Sequence, residues 1–215
     1  RVGQKVWVLD GKGTVWGAQL EDLGGNKKPA SVRLLQKTVY AAPKPRVELI
    51  QAVAKPKALE ALVLHGTELG LAGLRLIKTQ YSTSLGEAAQ EVDLVRLRQI
   101  ALQGCKQSGN PFLPKIQLHS GGLSTLEAGE PAAGVRHRRW VASLGAGARP
   151  WAEVVREQAD CPPDRVSWLI GPEGGFTPQE DCLARAAGFE AVCLAPYRLG
   201  FLPAGCWALA VSVTS

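Results

Sequence analysis

The chain has 215 residues, 46% hydrophobic and 20% charged, which is ordinary for a soluble globular protein of one or two domains. No run approaches eighteen uninterrupted apolar residues, which argues against a membrane-spanning helix, and no signal-peptide pattern opens the sequence. The net charge of +6, with a pI near 9.2, leaves two readings open, plain solubility or a polyanionic partner.

In chain order, Lys5-Val6-Trp7-Val8-Leu9 reads as a strand closed by the hairpin-type turn signal Asp10-Gly11. Thr14 to Leu20 alternates, Gly24-Gly25-Asn26 marks another turn, and Ser31 to Leu35 supplies a third strand. A small, barrel-like β-domain is therefore expected over residues 1–42, with Ala41-Ala42-Pro43-Lys44-Pro45 as the linker into a second domain, 43–215. The absence of methionine and the abrupt opening on Arg1-Val2-Gly3 suggest missing amino-terminal residues or omitted methionines.

Helices and strands alternate from there on. Pro56 to Leu69 reads as a helix ended by Gly70, with Leu59, Leu62, Val63 and Gly66 on one face. Gly73 to Ile77 is a short strand. Glu87 to Lys106 is the longest predicted helix, with Val92, Val95, Leu97, Ile100 and Ala101 as core candidates. Strands are expected at Lys115–Leu118, Arg139–Leu144, Arg165–Ile170 and Glu190–Leu194, and helices at Pro150–Gln158, Pro178–Ala187 and from about Gly205 onward. Such alternation predicts an α/β fold, a parallel sheet with helices on both faces and ligands beyond the carboxyl ends of the strands.

Five cysteines without CxxC spacing indicate neither a disulfide framework nor a zinc site, and His65, His119 and His137 lie too far apart to suggest metal ligands. No metal and a reducing cytoplasm are the natural expectations. Arg136-His137-Arg138-Arg139 is a compact basic cluster, and lysines and arginines crowd the first sixty residues. Either group can neutralise nucleic-acid phosphates or simply be solvated.

The most informative stretch is Trp168-Leu169-Ile170-Gly171-Pro172-Glu173-Gly174-Gly175-Phe176-Thr177-Pro178-Gln179-Glu180-Asp181. Thr177 can cap a helix, Pro178 suits its first position, Glu180 completes a capping box and Gly188 can end it. The unit is strand, glycine loop, capped helix. It matches neither GxxxxGK[ST] nor GxGxxG, and Glu173 brings negative charge where phosphate would arrive. Glycines let a ligand lie against backbone groups, so an uncharged or cationic ligand suits this loop better, and a tight turn without function remains the alternative.

Residues 169 to 180 closely resemble the signature of the SPOUT-class methyltransferases that modify a uridine at N3 in 16S ribosomal RNA. His65-Gly66-Thr67-Glu68-Leu69-Gly70 is similar to that family's K-A-T-E-L-G helix end. Arg98-Gln99-Ile100-Ala101 with Gln107-Ser108-Gly109 and Leu113-Pro114 resembles its I-A-x-E-A-x-E-Q-S-x-R segment. The resemblance implies a PUA-like β-barrel RNA-binding domain before a trefoil-knotted parallel-sheet methyltransferase domain. It further implies bound S-adenosylmethionine, a homodimer, and 16S ribosomal RNA or the small ribosomal subunit as partner.

Three loops would then hold the cofactor, with Leu144 in the first, Leu169, Ile170, Gly171, Pro172 and Gly174 around the second, and Leu194, Leu199, Gly200 and Leu202 in the third. Glu173 is the candidate for positioning or proton handling. Arg98, Gln107, Ser108, Arg136, Arg138 and Arg139 are the candidate RNA contacts. Methyl transfer to N3 of uracil needs a base or a stabiliser of the developing anion, plus orientation of the two reactants.

One segment departs from the pattern. Where the family reads L-G-x-x-I-L-R-x-E-T-A, this chain reads Leu199-Gly200-Phe201-Leu202-Pro203-Ala204-Gly205-Cys206-Trp207-Ala208. Leu-Gly is present, but the arginine, glutamate and threonine have no clear counterparts, and aligning from the following Ala-Leu-Ala instead puts Pro203 on the arginine and Gly205 on the glutamate. Asn110 stands near the arginine of Q-S-x-R. These losses keep two alternatives in view, a catalytically silent RNA-binding protein and a methyltransferase for another RNA position.

Overall fold

The computed structural model describes residues 1–25, 28–83, 92–126, 133–145, 147–158 and 161–213. Strands β1 (Lys5–Leu9), β2 (Thr14–Asp22) and β3 (Ser31–Val39) form an antiparallel sheet in that order. Asp10 shapes the first hairpin, because its Oδ1 accepts the N–H groups of Lys12 at 2.7 Å and Thr14 at 2.9 Å. The second turn is expected at Gly24-Gly25-Asn26, and Asn26 lies outside the described residues. Gly13 joins this sheet to the rest of the chain. Its N–H donates to the Pro111 carbonyl at 3.0 Å, and a Cβ there would stand 2.6 Å from the Phe112 ring, so only glycine permits the approach.

The second sheet has seven parallel strands: β4 (Arg46–Ala52), β5 (Gly73–Ile77), β6 (Lys115–Leu118), β7 (His137–Ala142), β8 (Arg149–Pro150), β9 (Arg165–Ile170) and β10 (Glu190–Cys193). Their spatial order is β6-β5-β4-β9-β7-β10-β8. The mixed α/β class and parallel sheet agree with the sequence expectation. Strand β4, near the centre, was not expected. Its Glu48 and Gln51 interrupt the apolar pattern, although Gln51 is fully buried.

Among the described residues, six α-helices accompany the sheet: α1 (Pro56–Glu68), the single turn α2 (Gln80–Thr83), α3 (Leu94–Ser108), α4 (Trp151–Gln158), α5 (Pro178–Ala186) and α6 (Phe201–Val213). Helix α3 starts later than the periodicity suggested. Asp93 caps it by accepting the Arg96 N–H at 2.8 Å, and the expected residues 87–91 lie outside the described residues. Its inward stripe is Leu97, Ile100, Ala101, Gly104 and Cys105. Val95 falls off that stripe and is 64% exposed, which corrects its assignment to the core. Helix α6 begins at Phe201 rather than near Gly205.

One sheet face packs Val47, Leu49, Leu74, Trp140, Val166 and Trp168 against α1, α3 and α6. Burying side chains of this size contributes about 1.5–3 kcal/mol each, so this layer dominates the cohesion of the fold. Trp140, Trp151, Trp168 and Trp207 form a chain of ring contacts with centroids 4.9 to 5.8 Å apart, joining β7, β9, α4 and α6. The buried Trp168 indole donates to Ser212 Oγ at 2.8 Å, so its polar edge is satisfied. On the opposite face Ile50, Ile77, Val141, Leu169 and Ala191 pack with Leu123, Leu126, Ala184, Ala187 and Phe189.

Candidate active site

Three strands of the parallel sheet end at one cleft of about 370 Å³, within the range of small-molecule sites. After β7 come Ser143, Leu144 and Gly145; the Ser143 N–H donates to the Val192 carbonyl at 3.0 Å, and its Oγ accepts the Gly145 N–H at 3.0 Å. After β9 the chain turns through Gly171 to Phe176. There Gly175, at φ 76°, donates its N–H to the Pro172 carbonyl at 2.8 Å. Side chains with a Cβ rarely adopt that backbone, which accounts for glycine at 175. After β10 come Leu194, Ala195 and the run Tyr197 to Gly200 before α6 opens at Phe201.

The glycine loop is held at its far end by the capping box expected from sequence. Thr177 Oγ1 accepts the Glu180 N–H, and the Glu180 carboxylate accepts the Thr177 N–H. Gly171 and Gly174 leave no spare room. A Cβ at 171 would lie 3.2 Å from the Phe176 ring, and one at 174 would lie 3.3 Å from Tyr81.

Leu144, Ile170, Gly171, Pro172, Gly174, Leu194, Leu199 and Gly200 all line the cleft, and so does the exposed Glu173. Leu169 and Leu202 are not brought to it. Strand alternation turns Leu169 to the opposite side from Ile170, where it is fully buried beneath α5. Leu202 sits on the first turn of α6, packed against the main core. Sequence reasoning missed Phe176, Asp181, Tyr197 and Arg198, which also line the cleft. Asp181 had a signal, since it follows the capping box in the first turn of a helix that starts at the ligand loop. Tyr197 and Arg198 belong to no motif.

The titratable groups at the cleft are Glu173, Asp181, Tyr197 and Arg198, and no lysine lies among the described lining residues. Burial raises the Asp181 carboxyl; nearby Arg185 opposes the rise and Glu180 adds to it. Two carboxylates, one guanidinium and exposed backbone groups suit a cationic or zwitterionic ligand with an uncharged ring system, not a polyphosphate.

None of the six expected RNA-contact residues lines the cleft. Arg98 is exposed on α3, and Gln107 and Ser108 are exposed in its last turn, where Ser108 Oγ bonds back to the Gly104 carbonyl at 2.7 Å. Arg136 and Arg138 are exposed and Arg139 half-buried, all at the amino end of β7, opposite the cleft end. Arg136 is engaged by Asp164 at 3.3 Å. Among the described residues no group of three or more His, Cys, Asp or Glu could hold a metal ion, and no helix is long and apolar enough to cross a membrane.

A family model described as RNA methyltransferase domain matches residues 42–213. Ribosomal RNA small subunit methyltransferase E from Synechocystis sp. is 28% identical over 192 residues, which is 89% of this chain and 60% of that protein. The chain therefore spans about three fifths of the length of that curated relative. A ribosomal RNA small subunit methyltransferase E from Neisseria gonorrhoeae, solved bound to S-adenosyl methionine, superposes with a TM-score of 0.82 at 24% identity, covering 100% of this chain and 84% of that one. A Legionella pneumophila protein, solved with the bound cofactor SAM, gives a TM-score of 0.81 at 23% identity, covering 99% of this chain and 83% of that one. At these identities the structural likeness establishes the fold.

Proposed function

The chain belongs to the RNA methyltransferase domain family, and from that premise we propose that it transfers a methyl group from S-adenosylmethionine to N3 of a uridine in 16S ribosomal RNA. The observation that carries this reading is the convergence of the loops after β7, β9 and β10 on one cleft whose charge suits a sulfonium-bearing ligand. The Synechocystis and Neisseria relatives, both named as small-subunit ribosomal RNA methyltransferases, point to the same substrate. The strand order, with β9 and β10 flanking β7, accords with the trefoil knot that the sequence resemblance implies.

When bound, the cofactor supplies an activated methyl group on a sulfonium. Ile170, Gly171, Pro172, Gly174 and Leu194 offer it backbone and apolar contacts, and Leu144, 52% exposed, has apolar surface free to cover it. Glu173 stands where it can accept the N3 proton of a uracil ring. Arg198 brings a guanidinium to the same cleft, where it offsets the charge that develops on the ring as that proton leaves. Closing these groups around both reactants supplies the orientation such a transfer needs.

Residues 1–42 act as the PUA-like RNA-binding domain and residues 43–215 as the catalytic one. The connected antiparallel strands β1 to β3 and the basic character of the opening segment support that division. The active form is a homodimer. Helix α6 is apolar all round, Phe201-Leu202-Pro203-Ala204-Gly205-Cys206-Trp207-Ala208-Leu209-Ala210-Val211-Ser212-Val213, yet its Leu202, Trp207 and Val211 are only half-buried in the single chain. A second copy would cover them.

A catalytically silent RNA-binding protein is favoured by one observation, that Pro203 and Gly205 place no ionisable side chain on α6. Incubation with S-adenosylmethionine and unmodified 16S ribosomal RNA, followed by nucleoside mass spectrometry, separates the two. N3-methyluridine is the expected product. Cofactor binding by calorimetry without any methylated nucleoside would favour the silent reading, and a different methylated base would move the site of action.

A further inference from the structure

Strand register builds a second polar surface, away from the cleft. On the sheet face that carries Ile50, Leu169 and Val141, the residues two and four places earlier in each strand are polar. One row reads Arg46, Arg165 and His137 across β4, β9 and β7. The next reads Lys115, Gly73, Glu48, Ser167 and Arg139 across β6, β5, β4, β9 and β7. Arg75 stands in the row beyond and reaches back to Glu48 at 3.2 Å. Among the described residues, the apolar cluster under α5 covers only the carboxyl half of this face, and Arg46, Lys115 and Arg165 are exposed.

The charge there is one-sided. Arg46, Arg75, Lys115, Arg139 and Arg165 face a single carboxylate in these rows, Glu48. Asp164 at the rim is held by Lys44 at 3.0 Å and Arg136 at 3.3 Å. The neighbours register the excess. His137, bonded to Ser167 Oγ at 2.9 Å, is pushed down to about 4 by burial and then by Arg139 and Arg165. Burial, followed by Arg75 and Arg165, lowers the Arg139 guanidinium. Among the described residues, the buried Arg75 Nε finds no hydrogen-bond partner. Arg139 donates to the Ala187 carbonyl at 3.1 Å and Arg75 to Glu48, so the exposed Arg46, Arg165 and Lys115 are the cations that would meet phosphate. The planar fork of the two arginines pairs with it through two parallel hydrogen bonds. Arg138 takes no part, because its register partner Val166 faces the main core.

We infer that this open, basic half of the sheet docks the phosphate backbone of the RNA whose nucleotide enters the cleft. The inference rests on the RNA methyltransferase reading above for its choice of polyanion. The strand from Arg165 to Ile170 covers roughly 16 Å at about 3.3 Å per residue, so one folded RNA element can lie on the face while presenting a nucleotide at the carboxyl ends.

The test reverses charge at two exposed positions, Arg46→Glu with Arg165→Glu, in the full chain. The control reverses Lys57→Glu with Arg156→Glu, exposed cations on α1 and α4 at the other face. Binding to in vitro transcribed 16S ribosomal RNA is measured across a salt series, and S-adenosylmethionine binding by calorimetry. The first pair should weaken RNA binding at least tenfold and reduce the salt slope by about 2, one unit per lost phosphate contact, with cofactor affinity within twofold. The neutral pair Arg46→Gln with Arg165→Gln should shift RNA binding in the same direction by less, which guards against misfolding of the reversed pair. Equal effects from the first pair and the control, or RNA binding within twofold of the parent, overturn the inference. So does unchanged RNA binding with lost retention on intact small subunits, which would make a ribosomal protein the partner. A parent chain that binds RNA through this face but not the cofactor sinks the methyltransferase reading alone, and one that binds neither overturns both.

Discussion

Glu180 holds two segments at once: its Oε2 accepts the Thr177 N–H at 2.9 Å, and its Oε1 accepts the N–H of Gln80 at 2.8 Å. One carboxylate thus completes the cap of α5 and ties that helix to the turn after β5. The glycine loop that precedes Thr177 has one end on β9 and the other on this cap.

Glu180→Ala therefore removes more than a cap. A lost N-terminal cap typically costs about 1 kcal/mol, and the bond to Gln80 is lost with it, so a total of about 1–2 kcal/mol is expected in urea unfolding. Thr177→Ala should cost about 1 kcal/mol, because Glu180 keeps its bond to Gln80. Cofactor affinity should fall for Glu180→Ala more than for Thr177→Ala. Equal affinity in both would mean that the tie to Gln80 does not steady the loop.

Gly171 and Gly174 are tight for different reasons. The space at 171 is closed by Phe176 and that at 174 by Tyr81, both near or at the cleft. Gly171→Val and Gly174→Val should each lower S-adenosylmethionine affinity at least tenfold by filling or reshaping the cleft. The overpacking should cost about 1–3 kcal/mol of stability, leaving a folded protein. Calorimetry beside circular dichroism checks both, and unaltered affinity in either variant removes that glycine from the site.

The glycine loop, its capped helix and the alternating architecture were legible because each rests on local chemistry: turn residues, a capping box and hydrophobic period. Strand β4 was not, and the reason is tertiary. Arg46 and Glu48 look out on the open basic half of one face, while Gln51 is buried near α6, its Oε1 3.5 Å from where a Cβ on Gly205 would stand. Neither environment follows from the seven residues themselves. Leu169 failed for a related reason, since a motif marks a stretch of chain but strand alternation decides which of its side chains reach the ligand. Tyr197 and Arg198 reach the cleft only because β10 ends beside β7, a fact of sheet order with no trace in local sequence.

His137 makes stability depend on pH. Its folded value of about 4 lies below the ordinary 6.5, so the unfolded chain binds the proton more readily between those limits. The contribution is fully present above about pH 6.5 and is lost progressively as pH falls toward about 4. His137→Gln keeps a partner for Ser167 but cannot titrate, so it should flatten the stability profile in that window. Urea midpoints at pH 4.5, 5.5 and 7, with a proton NMR titration of the His137 ring, measure it. A ring that titrates near 6.5 would show that neither burial nor Arg139 and Arg165 disfavour its charged form in solution.

Arg198 is the cation among the described residues lining the cleft, and it stands a few places before the start of α6, where the family pattern's arginine has no clear counterpart in this chain. On the proposed methyltransferase reading, a guanidinium delivered from the loop rather than from α6 can meet the same electrostatic need, the charge that would develop on uracil when N3 loses its proton. Arg198→Ala should then lower kcat about 100-fold while S-adenosylmethionine affinity stays within threefold, and Arg198→Lys should restore part of the rate. Glu173→Gln should also lower kcat, and in addition change its pH dependence if the carboxylate takes the proton. Should Arg198→Ala weaken cofactor binding and leave kcat alone, the arginine serves the cofactor instead, and Glu173 with backbone groups must carry the chemistry.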